Sequence, residues 1–320
     1  MPNITEKPKQ NLHSFLECNV ELDLTSLDAD VAILGIPHAD PYSMEQINND
    51  QANAPTAVRQ ASILASDGPS QWDFDLGGTI FDNKPVRMVD CGDVIGNPRD
   101  IAGNSIRAED AVRLIRRSGA LPIIIGGDHG VPVPVLRAYS DEGPIYVVQI
   151  DAHLDWLDQL NGVTEGFSSP MRRASEMPHV SGMHQIGLRN QGSATAAEVE
   201  AAIAYGSNLV TAEYLHDEGI EKVLSQIPDG RNYYITFDAD GLDPSIMPAV
   251  AGPAPGGVTY LQACKLIRGL VAKGNVVGMD IVELTPSRDL NEISSITASR
   301  LIINLVGWAT RSGYFDKKDK

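Results

Sequence analysis

The chain alternates short, continuous apolar runs with longer stretches whose apolar residues recur at helical spacing. Runs at 30–35, 86–90, 121–125, 145–150, 183–188, 232–237 and 276–282 read as strands, since a strand buried on both faces shows no polar alternation. Between them, 55–64, 105–118, 134–139, 195–205, 220–227, 260–272 and 293–310 read as helices. Pro55 fits a helix first turn, and Ile106, Ala111, Leu114 and Ile115 mark one apolar stripe. The polar, turn-rich stretches 37–53 and 157–170 read as loops, and residues 1–27 as an irregular arm preceding one domain over 28–320. Strands alternating with helices predict βαβ units and an α/β fold whose parallel sheet is covered on both faces. No GxGxxG opens a helix after the first strand, so a dinucleotide site is not supported.

Composition narrows the partners. With 320 residues, 42% of them hydrophobic, the chain can bury a sizeable core. A formal net charge of -17 repels phosphates, which argues against nucleic acid and favours a cationic small molecule or simply a soluble surface. Cys18, Cys91 and Cys264 are odd in number and widely spaced, so free thiols in a reducing compartment are expected rather than a disulfide framework. The N-terminus has no apolar signal region and no run reaches membrane-spanning length, which predicts a cytoplasmic protein with no membrane partner.

The chemistry gathers at the ends of three predicted strands. YVVQIDAHLDW, residues 146–156, delivers Asp151, His153 and Asp155 at alternate positions, which an extended backbone places on one face. Upstream, IIIGGDHG ends in Asp128 and His129; downstream, YYITFDADGLDP ends in Asp238, Asp240 and Asp243. The C-terminal ends of parallel strands are where such sheets build their sites. Each segment alone has a plainer reading: GGDHG as a turn with Asp128 capping and His129 packed, DADGLDP as a turn or calcium-like loop. Together they describe carboxylate and imidazole ligands suited to Mn²⁺, and also to Ni²⁺, Zn²⁺ or Fe²⁺. Four clustered carboxylates repel one another unless cations neutralise them. Two divalent ions roughly 3.5–4 Å apart can hold a bridging water and bring its pKa toward neutrality, which makes hydrolysis the natural reaction class.

GGDHG, DAHLD and DADGLDP, in this order and spacing, resemble the ureohydrolase superfamily of arginases, agmatinases and related guanidino-compound hydrolases. Further matches span most of the chain: ILGIP, DCGDV at 90–94, MRRA at 171–174, IGLR at 186–189, PGG at 255–257 and GMDIVELTP at 278–286. The resemblance implies a three-layer α/β/α fold with a mostly parallel sheet of about eight strands, and a trimer or hexamer, alone or with a homologous subunit. It implies that His129, Asp151, Asp155 and Asp238 bind one divalent ion and Asp151, His153, Asp238 and Asp240 the other, with Asp151 and Asp238 bridging. Asp155 would also orient the attacking hydroxide, and Glu283 in DIVELTP would contact the substrate guanidinium. Asp128 and Asp243 read as supporting or turn residues.

Two departures bear on the substrate. Agmatinase-like members typically carry YNHGTPFRRA where this chain has EGFSSPMRRA, so Phe167 stands in place of a histidine thought to shuttle protons to the departing amine. His38, at the end of the first strand, is the candidate substitute, with His184 a weaker one and an ordinary loop histidine the plain alternative for His38. MPAVAGP, residues 247–253, replaces the family's APGTGTP, so Ala249, Val250, Ala251 and Gly252 are expected to make the substrate wall more apolar. Such a wall disfavours a charged amino-acid tail. The expected activity is therefore agmatinase-like hydrolysis of a guanidino or amidine C–N bond, catalysed by Asp155, Glu283 and His38 with two Mn²⁺ or Ni²⁺ ions. A small cationic guanidine, unsubstituted or N-alkylated, is favoured, with nickel by likeness to relatives that hydrolyse guanidine or metformin. A catalytically silent subunit of a hetero-oligomer and a formimino-group hydrolase are the alternatives.

Overall fold

In a computed structural model, which describes residues 4–7, 13–38, 40–43, 50–64 and 68–316, strand β3 (Val31–Ile36) shows how the layers form. Val31 and Ile33 enter one apolar core, Ala32, Leu34 and Ile36 enter another, and all are buried. Two-sided burial is why the run is continuously apolar. The same holds for β4 (Met88–Val94), β5 (Leu121–Gly126), β6 (Ile145–Ile150), β9 (Asn232–Asp238) and β10 (Asn275–Val282). With β7 (Val180–Leu188), β8 (Asn208–Thr211) and two strands of the arm, β1 (Thr5–Glu6) and β2 (Asn19–Val20), they make a ten-stranded sheet in the order β1-β4-β3-β5-β10-β9-β6-β7-β8, with β2 also on β4. Every pairing is parallel except β1 with β4.

One face carries α1 (Ala54–Leu64), α6 (Ala212–Glu218), α7 (Ile220–Gln226), α8 (Tyr260–Lys273) and α9 (Ile293–Arg311). The other carries α2 (Ile101–Ser118), α3 (Pro132–Arg137), α4 (Pro170–Ser175) and α5 (Ala196–Tyr205). The three-layer α/β/α expectation holds. The sheet has ten strands rather than about eight, because the arm adds two short ones and β8 lies at the far edge with only Val210 buried.

The arm is locked onto β4 rather than loose where it is described. Phe15 is fully buried, and its N–H donates to Asp90 Oδ2 at 2.9 Å. Asp90 and Asp93, from the DCGDV motif, receive the guanidinium of Arg59 on α1: Nε to Asp90 Oδ2 at 2.8 Å, Nη1 to Asp93 Oδ1 at 2.5 Å. Arg59 is fully buried, so this ion pair binds arm, α1 and β4 together. In the predicted loop 37–53, residues 39 and 44–49 lie outside the described residues, and 50–53 form a 3₁₀ turn leading into α1. The three cysteines are free, and burial pushes Cys18 to about 12 and Cys264 to about 11, keeping both as thiols at neutral pH. Among the described residues no helix is long and apolar enough to cross a membrane.

Candidate metal centre

Four neighbouring strands, β5, β10, β9 and β6, end at one level, since Ile125 is paired with Ile281, Val282 with Asp238, and Phe237 with Ile150. The segments leaving them therefore meet. Two glycines make the approach possible. A Cβ on Gly127 would lie 1.8 Å from the His38 carbonyl oxygen, and one on Gly241 would lie 2.7 Å from the Asp151 nitrogen.

His129 Nδ1 faces Asp155 Oδ2 at 2.7 Å, Asp238 Oδ2 at 2.9 Å and Asp151 Oδ2 at 3.1 Å. His153 Nδ1 faces Asp240 Oδ2 at 3.2 Å and Asp151 Oδ1 at 3.4 Å. Asp151 is thus common to two groups, His129–Asp151–Asp238 and Asp151–His153–Asp240, in each of which the ligand atoms lie within 4.8 Å of one another. Asp238 turns its other oxygen to the Asp240 N–H at 2.7 Å, which ties it to the second group through the backbone. Backbone N–H groups aim two further carboxylates: His153 N–H donates to Asp151 Oδ1 at 2.7 Å and Ala152 N–H to Asp240 Oδ1 at 3.4 Å. Asp155 accepts no backbone N–H among the described residues, and it sits at φ 53°, a left-handed conformation that is uncommon outside glycine but that aspartate enters more readily than most residues.

The charges are poised for cations. Burial, then the Asp151 charge, pushes Asp155 up to about 8; burial likewise raises Asp238 far above the carboxylate range and raises Asp240. For Asp151 burial acts upward too, but contact with His129 and His153 overrides it and pulls the group down. His153 is pushed up to about 12 by Asp151 and Asp240. Among the described residues His129 Nδ1 is buried without a hydrogen-bond partner, although three carboxylate oxygens converge on it. One proton satisfies one oxygen, whereas a divalent cation satisfies the imidazole lone pair and the oxygens together. The donor set of hard oxygen and imidazole nitrogen fits such an ion.

The family model described as "Arginase family" matches residues 29–307. The chain belongs to the arginase family. It is 31% identical over 307 residues to an agmatinase of Sodalis glossinidius (strain morsitans), with 92% of each chain covered. It is 30% identical over 297 residues to the guanidinobutyrase of Pseudomonas aeruginosa, covering 89% of this chain and 87% of that one. The solved structure of proclavaminate amidino hydrolase from Streptomyces clavuligerus matches with a TM-score of 0.80 at 26% identity, over 98% of this chain and 100% of that chain. As a member of the arginase family, this protein is a hydrolase of guanidino carbon–nitrogen bonds.

Beyond the six converging residues, Glu283 leaves β10 beside the His129 segment. The His129 N–H donates to Glu283 Oε1 at 2.8 Å and the Glu283 N–H to the Gly127 carbonyl at 2.9 Å, with Glu283 held at φ 65°. Burial raises its pKa. Asp128 caps its own turn, accepting from Gly130 N–H and Asp40 N–H, and Asp243 accepts from Ser245, Gly256 and Gly257 N–H; neither joins the cluster.

His38 does not join it either. Its Nε2 faces Gly96, where a Cβ would lie 3.3 Å away, and it lines a cavity of about 550 Å³ with Asp40, Asn104, Asp128 and Arg137. Burial, helped by the Arg107 charge, lowers it to about 4, so it is neutral and carries no spare proton at neutral pH. The physical reason is orientation: the segment after β3 turns this side chain toward Val94 and Gly96 at the end of β4. His184 is enclosed in β7, hydrogen bonded to the Tyr146 hydroxyl at 2.8 Å. Phe167 packs edge-on against Tyr42, ring centroids 4.8 Å apart, so an aromatic pair stands where the family has a histidine. The apolar wall also needs correction. Ala249 and Val250 are buried in the core, with the Val250 segment bridged to Leu284, and only Ala251, Gly252 and Pro253 are exposed. Of the four replaced positions, two are buried in the core.

Several supporting residues were not legible in sequence. Gln149, fully buried on β6, donates from Nε2 to Asp151 Oδ2 at 2.6 Å and Asp155 Oδ2 at 3.4 Å; Gln185 donates to Gln149 Oε1 at 2.7 Å, and Ser207 to Gln185 Oε1 at 2.8 Å. A neutral amide chain thus orients two ligands without adding charge. On the other side, His129 Nε2 lies 3.0 Å from Thr236 Oγ1, whose hydroxyl donates to Asp280 Oδ1 at 2.9 Å. That places the proton of His129 on Nε2 and leaves Nδ1 free. Arg189 of the IGLR motif donates to the carbonyls of Asp240 and Ala254 at 2.6 and 2.7 Å, fixing the loop that carries Asp240. Gln149→Leu is expected to leave the fold intact and weaken metal retention by about 10- to 100-fold, as loss of an outer partner does; titrating the chelated protein with metal by calorimetry checks this.

Proposed function

We propose that this arginase-family chain cleaves a guanidino compound into urea, or a substituted urea, and an amine, with two Mn²⁺ or Ni²⁺ ions held by His129, Asp151, Asp155 and Asp238 on one side and Asp151, His153, Asp238 and Asp240 on the other. The observation that carries it is the convergence of six ligand side chains, shared through Asp151, next to a buried glutamate. Bound there, the cations supply an activated water and Lewis acidity at the guanidinium carbon. Glu283 offers two carboxylate oxygens to a planar guanidinium and holds its carbon toward the cluster. Asp155, the ligand without a backbone N–H on its carboxylate, takes the proton of the attacking water and returns it to the departing amine.

A substituent that is neutral or cationic suits the site better than a carboxylate. Arg172 and Arg173 are ion-paired with Glu176 and Asp158, and Arg288 donates to the carbonyls of Val250 and Ala251, so the charge of each of these arginines is already engaged. A small or N-alkylated guanidine, or agmatine, is therefore favoured.

Urea release should be measured with protein loaded separately with Mn²⁺ and Ni²⁺ across agmatine, 4-guanidinobutyrate, guanidine, methylated guanidines and metformin. Turnover of a non-acidic member is the expected result. Phe167 in the histidine's place favours a second reading, a silent subunit that needs a homologous partner; two metals bound per chain with no urea from any substrate selects it.

A further inference from the structure

The turn at 50–53 carries a side chain that reaches the substrate glutamate from 232 residues away along the chain. Gln51 Nε2 donates to Glu283 Oε2 at 2.6 Å. Both side chains are buried, Gln51 at 5% exposure and Glu283 at 7%. An ionised carboxylate only accepts, so the amide must present its NH₂ to it. The turn is itself pinned: Asp50 accepts the N–H of Ser287, just beyond Glu283, and the Asn53 side chain at 2.6 Å. Its downstream end runs directly into α1, anchored through Arg59. Nothing in the family resemblance gives position 51 a role.

We propose that Gln51 is a positioning residue for guanidinium recognition, an inference that rests on the reading that the substrate lies on Glu283. A carboxylate has about four acceptor positions, two on each oxygen. The His129 N–H takes one on Oε1 and the Gln51 amide takes one on Oε2. Among the described residues no other side-chain or backbone donor reaches the carboxylate, which leaves one position on each oxygen, the number and separation that two parallel N–H groups of a planar guanidinium require. Gln51 therefore stops the carboxylate from rotating and leaves it with a single binding edge. Without it, Oε2 is buried with one fewer donor, and the edge is lost to other rotamers.

The test uses the full-length, metal-loaded protein with Gln51→Met, which removes the amide at similar volume, and Glu283→Gln alone and combined with it. Gln51→Met is expected to lower kcat/KM for urea release by about 10- to 100-fold, mostly through KM, and to weaken guanidinium chloride binding in calorimetry by a similar factor. Metal content and unfolding midpoint should stay as in the parent. In the Glu283→Gln background the further loss should vanish, because Gln51 acts through that carboxylate. If the parent turns over and Gln51→Met leaves KM and guanidinium binding unchanged, the inference is overturned and the proposed function stands. If the parent releases no urea, the calorimetry still decides: weaker guanidinium binding by the variant supports the inference while the hydrolytic reading fails, and equal binding, or none by the parent, overturns it. Should Gln51→Met fail to fold, Gln51→Asn, which withdraws the amide from Oε2 but keeps it polar, is put through the same measurements.

Discussion

Asp155→Ala is expected to lose metal and turnover together, with urea release falling by more than the about 10- to 100-fold typical of losing an outer partner. The reason lies in what remains. His129 Nδ1 keeps only Asp151 and Asp238 after the substitution, and the closest of its three carboxylate contacts, at 2.7 Å, is gone. Among the described residues the Asp155 carboxylate accepts no backbone N–H and, from Gln149, only a long contact at 3.4 Å, so on the proposed reading no other group stands ready for its part in proton transfer. Inductively coupled plasma mass spectrometry beside a urea assay reads both effects. Full turnover in this variant would end the dinuclear assignment.

Arg59→Met should be the most damaging change away from the centre, costing about 3–5 kcal/mol of folding stability. The guanidinium is fully buried and serves Asp90, Asp93 and the Gly92 carbonyl at 2.5 to 3.0 Å. Removing it strands two buried carboxylates, and Asp90 also holds Phe15 of the arm. Chemical denaturation of the metal-loaded protein measures the loss. A midpoint equal to the parent's would show that water reaches Asp90 and Asp93 and that the pair is not the clamp described.

These two sites illustrate what a sequence discloses. The clustered aspartates and histidines were readable because each follows an apolar run that reads as a strand, and strand ends in a parallel sheet converge. Arg59 was not, since nothing in RQASIL says which face of a helix meets DCGDV. Gln149 was hidden for a related reason: a single amide within YVVQI looks like noise in a buried strand until its partner, Gln185, is found on the adjacent β7. Edge elements were missed because little of them is buried: β8 contributes Val210 alone, and β7 begins at 180 rather than 183, behind the exposed Ser181. His38 lies beside Gly96 past the end of β4, a placement that position in the sequence could not give, because it says nothing of the direction in which a side chain leaves the backbone. Ala249 and Val250 erred the same way, being in a loop by sequence and in the core by packing.

His129 is bound twice over, its imidazole among the cluster carboxylates and its N–H on Glu283. On the proposed reading, cation and guanidinium are therefore linked ligands of one residue. Whatever factor a bound cation adds to guanidinium affinity, a bound guanidinium must return to cation affinity. If that factor is above one, such an enzyme sheds its metals most readily when it is idle, and saturating substrate protects it from chelators without touching them.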